Sequence, residues 1–164
     1  MTQITVEAQD GERHASVLIH PPSHDWLEKI NSTGFSMWDL TARIEALDLP
    51  AEAKLILERL ATVSARVGDT LIFLGRSIVK VTLLLFSKFP LAGLGVILGS
   101  LLGAIISSIP ILGFLFGAFI TPVAAAFGLA AGAWHDFKDI ELDRKIREAV
   151  TLYEPLQGSV SVTD

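Results

Sequence analysis

The chain contains no cysteine. Disulfides, thiolate catalysis and cysteine-based zinc sites are therefore excluded. It also lacks any charged residue or histidine over one long block, from Phe89 to Trp134. Charged side chains make up 19% of the 164 residues, below the quarter or so usual for soluble domains, and this block holds the shortfall. No basic run exceeds two residues and the net charge is −5, so the basic stripe that a nucleic-acid partner needs is missing. Met1 to Asp10 has no basic stretch followed by an apolar run, and no cleaved secretory signal is expected. G-x-S-x-G, the phosphate loop, the dinucleotide fingerprint and H-E-x-x-H are all absent. Nothing points to an enzyme, and no cofactor is implied.

The four histidines, His14, His20, His24 and His135, suggest no metal site. Pro21 and Pro22 prevent His20 and His24 from meeting on one turn of a helix, and no third ligand motif is near. Asn31-Ser32-Thr33 matches a glycosylation sequon by chance, since no secretory signal precedes it.

What is present begins with a β-hairpin. Ile4 and Val6 alternate with polar residues, Asp10-Gly11 offers a type I′ turn, and Ala15, Val17 and Ile19 alternate on the return strand. Two strands alone are marginally stable, so helices or further strands must cover them. Ser23 can cap a short helix holding Trp26, Leu27 and Ile30, and residues 31–34 break it. Ser36 with Asp39 resembles a capping box, which predicts a helix from Met37 to Leu47. Pro50 opens the next helix. From Ala51 the helical pattern continues to Lys88, with one doubtful point at Gly68-Asp69. Arg59, Thr62, Arg66, Asp69, Arg76, Lys80 and Ser87 fall near one stripe, and Leu60, Val63, Val67, Leu71, Leu74, Ile78, Val81 and Leu85 face the other way.

The charge-free block follows. Pro90 to Ser107 and Ile111 to Trp134 can each supply one membrane span, with the reversal at Ser107 to Pro110. Pro122 is expected to kink the second span. Phe89 and Trp134 sit where interfacial anchors belong, and the lysines and arginines on both flanks place both termini in the cytoplasm. Leu71 to Phe86 is expected to lie on the membrane rather than in it, because spanning would bury Arg76 and Lys80; the alternative is a third span in which those two charges face a wet lumen. Those two residues, with Lys88, either line a pore or reach lipid headgroups. A competing arrangement hides the apolar hairpin inside a sheath of amphipathic helices, which requires several such helices. Asp136 to Tyr153 reads as one, with Phe137, Ile140, Ile146, Ala149 and Val150 on one side, and the last residues fray.

The expected fold class is therefore a mainly α membrane protein. It comprises a cytoplasmic β-hairpin and short-helix region (1–50), a long amphipathic helix (51–88), a glycine-rich transmembrane hairpin (89–134) and a cytoplasmic C-terminal helix and tail (135–164). Gly95, Gly99, Gly103 and Ser107 recur every fourth residue. Gly113 and Gly117 continue into Thr121 and Ala125, and Ala124, Gly128 and Gly132 form a further row. Such rows let backbones approach closely, and their number predicts a homo-oligomer. The layout resembles, in pattern alone, the apolar hairpin of pore-forming colicins and some phage holins. Two functions follow as expectations: an oligomeric pore or membrane-perturbing assembly in a bacterial inner membrane, or a non-conducting anchor or scaffold that recruits a cytoplasmic protein. The expected partners are the lipid bilayer, further copies of the chain and that protein, with no nucleic acid.

Overall fold

Alternating apolar residues pair the first two strands. β1 (Thr2–Glu7) and β2 (His14–Ile19) are antiparallel, with Ile4 opposite Val17 and Val6 opposite Ala15. Ile4, Val6, Ala15, Val17 and Ile19 consequently share one face, and all are buried. The computed structural model describes residues 2–7, 14–32, 36–127 and 140–159, so the Asp10-Gly11 turn lies outside the described residues. The hairpin finds its cover within the chain. β3 (Ala65–Val67) adds to β1, β4 (Thr70–Ile72) to β3, and the two-residue β5 (Gly158–Ser159) to β2. The strand order is β4-β3-β1-β2-β5, and every pairing is antiparallel.

The first two helices start where their caps predict. α1 (His24–Asn31) begins with the Ser23 hydroxyl accepting from the Trp26 N–H at 3.1 Å. α2 (Met37–Glu45) begins with the Ser36 hydroxyl accepting from the Asp39 N–H at 3.1 Å. Each contact satisfies one of the backbone donors left over at a helix start.

Residues 51–88 do not form one long helix. α3 (Ala51–Ala61) stops, the β3–β4 hairpin intervenes, and α4 (Leu74–Lys88) resumes. The doubtful point at Gly68-Asp69 is the turn of that hairpin. Gly68 adopts φ +58°, a conformation that glycine accepts without strain, and its N–H donates to the Gln3 carbonyl at 2.8 Å. β1 exposed an edge that needed a partner. Ala65, Val67 and Ile72 extend its buried face, and this outweighs the helical spacing of Val63, Val67 and Leu71.

The expected transmembrane hairpin is also corrected. A 3-10 turn (Pro90–Ala92) leads into α5 (Leu94–Ser108), Ile109 links it to α6 (Pro110–Phe116), and a second 3-10 turn (Gly117–Phe119) separates α6 from α7 (Ile120–Ala126). Among the described residues no helix is long and apolar enough to cross a membrane. The 15 residues of α5 reach about 22 Å at 1.5 Å each, against a hydrocarbon layer of about 30 Å. The second arm is divided, and its two described helices have seven residues each. This overturns the transmembrane fold class, the integral-membrane localisation in a bacterial inner membrane, and the two-sided orientation that depended on it.

The physical reason is that the charge-free block is the core of the fold. α5 packs against α4, α6, α7 and α8 (Ile140–Thr151). Ile97, Leu98, Leu101, Leu102 and Ile105 fall on one broad face of it and have no measurable exposure, while Val96, Ser100 and Gly103 on the other side are half-buried. A helix with no charged side chain is either a membrane span or a helix covered by its neighbours, and here the neighbours are present. α8 presents Leu142, Ile146 and Val150 inward, while Ile140, expected on that face, is exposed. Its outer face carries ion pairs between Arg144 and Glu141 and between Arg147 and Asp143.

Candidate functional site

The small residues of the charge-free block differ in what surrounds them, and both arms carry packed and open positions. On the first arm, Gly95 and Gly99 are buried. A Cβ on Gly95 would lie 2.6 Å from the Phe127 Cβ, so that glycine is committed to packing α5 against the end of α7 inside one chain. Further along the row, a Cβ on Gly103 would meet nothing within 4 Å, and Ser107 is exposed with its hydroxyl donating to the Gly103 carbonyl at 2.8 Å. On the second arm, Gly113 makes only ordinary contact, its added Cβ lying 3.4 Å from Ile106. Gly117 is exposed and a Cβ there would meet nothing within 4 Å. Ala118, Thr121 and Ala125 are exposed beside it. Thr121 and Ala125 stand one turn apart on the exposed side of α7, and Gly117 precedes them in the 3-10 turn.

Gly128, Gly132 and Trp134 lie outside the described residues. Pro122 is the third residue of α7, where proline costs no helical hydrogen bond. It therefore kinks nothing, and the arm is broken upstream at Gly117–Phe119. Phe89 is half-buried at the end of α4.

Arg76, Lys80 and Lys88 all lie on α4. Arg76 is half-buried, with its guanidinium carbon 4.3 Å from the centre of the Phe73 ring. Its Nε is buried without a hydrogen-bond partner. Lys80 is half-buried and Lys88 exposed. Spaced by four, Arg76, Lys80, Leu84 and Lys88 make the outer row of α4, and Ser77, Ile78, Thr82 and Leu85 face inward.

Three polar contacts that sequence reasoning did not anticipate join distant parts of the chain. The Tyr153 hydroxyl, fully buried, lies 2.8 Å from the Ser77 hydroxyl on α4. Burial pushes the tyrosine pKa up, and the Ser77 hydrogen bond opposes this in part. The Trp26 indole N–H donates to the Leu152 carbonyl at 2.8 Å, tying α1 to the end of α8. The Asn31 amide donates to the Leu71 carbonyl and accepts from the Phe73 N–H, both at 3.0 Å. The single tyrosine of the chain, sitting at the end of an amphipathic helix, was the one available signal.

A shallow cleft of about 530 Å³ lies beside Asn31, lined by His24, Leu27, Glu28, Asn31, Ser32 and Thr70. Its only titratable groups, His24 and Glu28, pair with each other at 3.0 Å in full contact with solvent. Its amide is spent on the backbone. Among the described residues, no group of three or more histidine, cysteine, aspartate or glutamate side chains could hold a metal ion. His20 is exposed, and His135 lies outside the described residues.

The class that fold and surface define is a mostly helical protein in which an apolar helix packs against four other helices, with one antiparallel sheet packed on α6 and α1. Comparison with known protein families, curated proteins and solved structures finds no match.

Proposed function

We propose that the protein is a non-enzymatic, self-associating scaffold whose copies meet at the second arm of the charge-free block. One observation supports this most directly: Gly117, Thr121 and Ala125 are exposed, and among the described residues no atom lies within 4 Å of a Cβ placed on Gly117. A surface of that shape admits another backbone closely, with many small dispersion contacts and no side-chain entropy to lose. On the first arm Gly95 serves folding instead, since Phe127 fills the space beside it. The partner protein that a scaffold recruits would dock elsewhere.

The test is the mass of the intact protein in solution by light scattering. Gly117→Leu adds bulk into open space, so folding is spared while the contact between copies is blocked. A wild-type oligomer that becomes a folded monomer supports the reading. A wild-type monomer, or a variant of unchanged mass, overturns it.

A second reading is perturbation of membranes by the assembled protein. What favours it is that α5, the most apolar helix of the block, is packed against α4 and α8, which would have to move before lipid could meet its buried face. Dye release from liposomes exposed to the intact protein supports this reading. Intact liposomes over a range of pH and lipid composition overturn it.

A further inference from the structure

We propose that the outer row of α4 and the turn after it form a peripheral docking surface for an anionic lipid bilayer, with no helix entering the membrane. It does not depend on the self-association reading. The first observation is charge. From residue 70 to residue 134 the only charged side chains are Arg76, Lys80 and Lys88, and every one of the 18 acidic residues lies outside that stretch. The chain as a whole is negative at −5, and this stretch carries net positive charge, with Lys88 exposed at its end. Basic side chains near such a surface add to binding one by one, and salt weakens the effect within a Debye length.

The second observation is the exposed apolar material at the end of α4 and in the turn after it. Leu91, in the turn after α4, is 100% exposed, and Leu84, one helical turn before Lys88, is 47% exposed. Neither is covered, although the adjoining Leu85 and Ala92 are buried. Leucine beside lysine suits the headgroup boundary, where the apolar side chain dips toward the acyl region and the ammonium stays at the phosphates. A protein partner fits this corner less well. A stable protein interface covers about 800 Å² on each side and concentrates aromatic anchors at its centre, whereas here two leucines project from the end of one helix.

Flotation of the intact chain with phosphatidylcholine vesicles, with and without phosphatidylserine, tests the proposal. Binding is expected only with phosphatidylserine, and it should fall as salt rises. Leu91→Ser should weaken it about tenfold, the effect of losing one leucine burial. Lys88→Glu should also weaken it, and Leu18→Ser, on the exposed side of β2, should leave it unchanged. Leu91 covers nothing, so its variant keeps the fold. Equal binding to both vesicle types, no binding to either, or indifference to Leu91→Ser overturns the proposal. A change in solution mass without a change in vesicle binding assigns the patch to a second copy and also overturns it. A Gly117→Leu monomer that still floats with vesicles separates this surface from the one used for self-association.

Discussion

Gly75 lies so close to Leu60 that a Cβ on it would stand 1.8 Å from the Leu60 carbonyl oxygen. The obstacle is backbone, which cannot swing aside, and it marks where α4 crosses α3. Its N–H also donates to the Val63 carbonyl at 2.9 Å. Gly75→Ala must therefore push the two helices apart. The expected cost is about 3 kcal/mol or more, at the upper end of overpacking effects. Gly103→Ala, in open space within α5, should do the reverse and gain about 0.5–1 kcal/mol, the ordinary advantage of alanine over glycine inside a helix. Urea melts of the two variants check both signs. Equal effects from the two substitutions would refute the difference in packing.

That crossing also explains why the architecture was only partly legible in the sequence. The local signals were readable. Ser23 and Ser36 start helices, Pro50 precedes one, and Ile4, Val6, Ala15, Val17 and Ile19 alternate on paired strands. The fold-back was not. Read as one helix, residues 51–88 would run for about 57 Å and could cover little of the apolar block. The hairpin at Gly68 lays α4 beside α3 and supplies the missing cover. Short strands of three residues leave a weak period-two signal, and Val63, Val67 and Leu71 satisfy the helical period at the same time. An all-round apolar segment then reads as a membrane span, because periodicity says nothing about whether neighbours exist. For the candidate surface, the spacing of Gly117, Thr121 and Ala125 was visible. Which glycine row faced inward was not, because it depends on Phe127 reaching Gly95. The contact of Tyr153 with Ser77 joins residues 76 positions apart, and nothing local announces it.

The buried pair of Tyr153 and Ser77 makes a prediction about hydrogen-bond accounting. Removing one hydroxyl leaves the other buried and unpaired, at a cost of about 1–3 kcal/mol, whereas removing both can be nearly neutral. Tyr153→Phe and Ser77→Ala should each destabilise, and the double variant should be more stable than the sum of the two losses implies. A pH dependence follows. The folded pKa of Tyr153 is raised by burial, so the folded state holds its proton after the unfolded state has released one. This contribution is whole below the ordinary phenol pKa of about 10 and is lost as pH rises above it. The stability advantage of wild type over Tyr153→Phe should shrink between about pH 9 and about pH 11. Additive single losses, or an advantage that grows with alkalinity, would count against the pairing.

Asn31 uses both halves of its amide, one as donor to Leu71 and one as acceptor from Phe73. Aspartate has the same shape but no donor. Asn31→Asp keeps an acceptor for the Phe73 N–H and sets a carboxylate oxygen against the Leu71 carbonyl. Asn31→Ala loses both bonds. The two variants should therefore cost a similar amount, about 1 kcal/mol each, yet differ in amide exchange. Phe73 should stay protected in the aspartate variant and exchange faster in the alanine variant. Identical exchange at Phe73 in both would show that the side chain does not hold this junction.

On the outer side of the α2 to α3 connection, Glu58 shares space with Glu45. The Glu58 pKa is raised, first by hydrogen bonding to the Glu45 carboxyl, then by burial and by the Glu45 charge, while Lys54 draws it back. A raised folded pKa means the protonated form is favoured by the fold. The stability it brings is present below the unfolded carboxyl pKa and is lost as pH rises through the folded value. At neutral pH the two carboxylates repel across the connection, and Glu58→Gln should raise the melting temperature. The gain should narrow on acidification, starting above the ordinary glutamate range, because the raised pKa lets wild-type Glu58 regain its proton early. Lys54 remains held in either protein, because its ammonium donates to the Glu45 backbone carbonyl at 2.7 Å, so the variant keeps that tie. A melting temperature that is unchanged at neutral pH, or a gain that widens on acidification, would show that the carboxyl pair does not strain the fold.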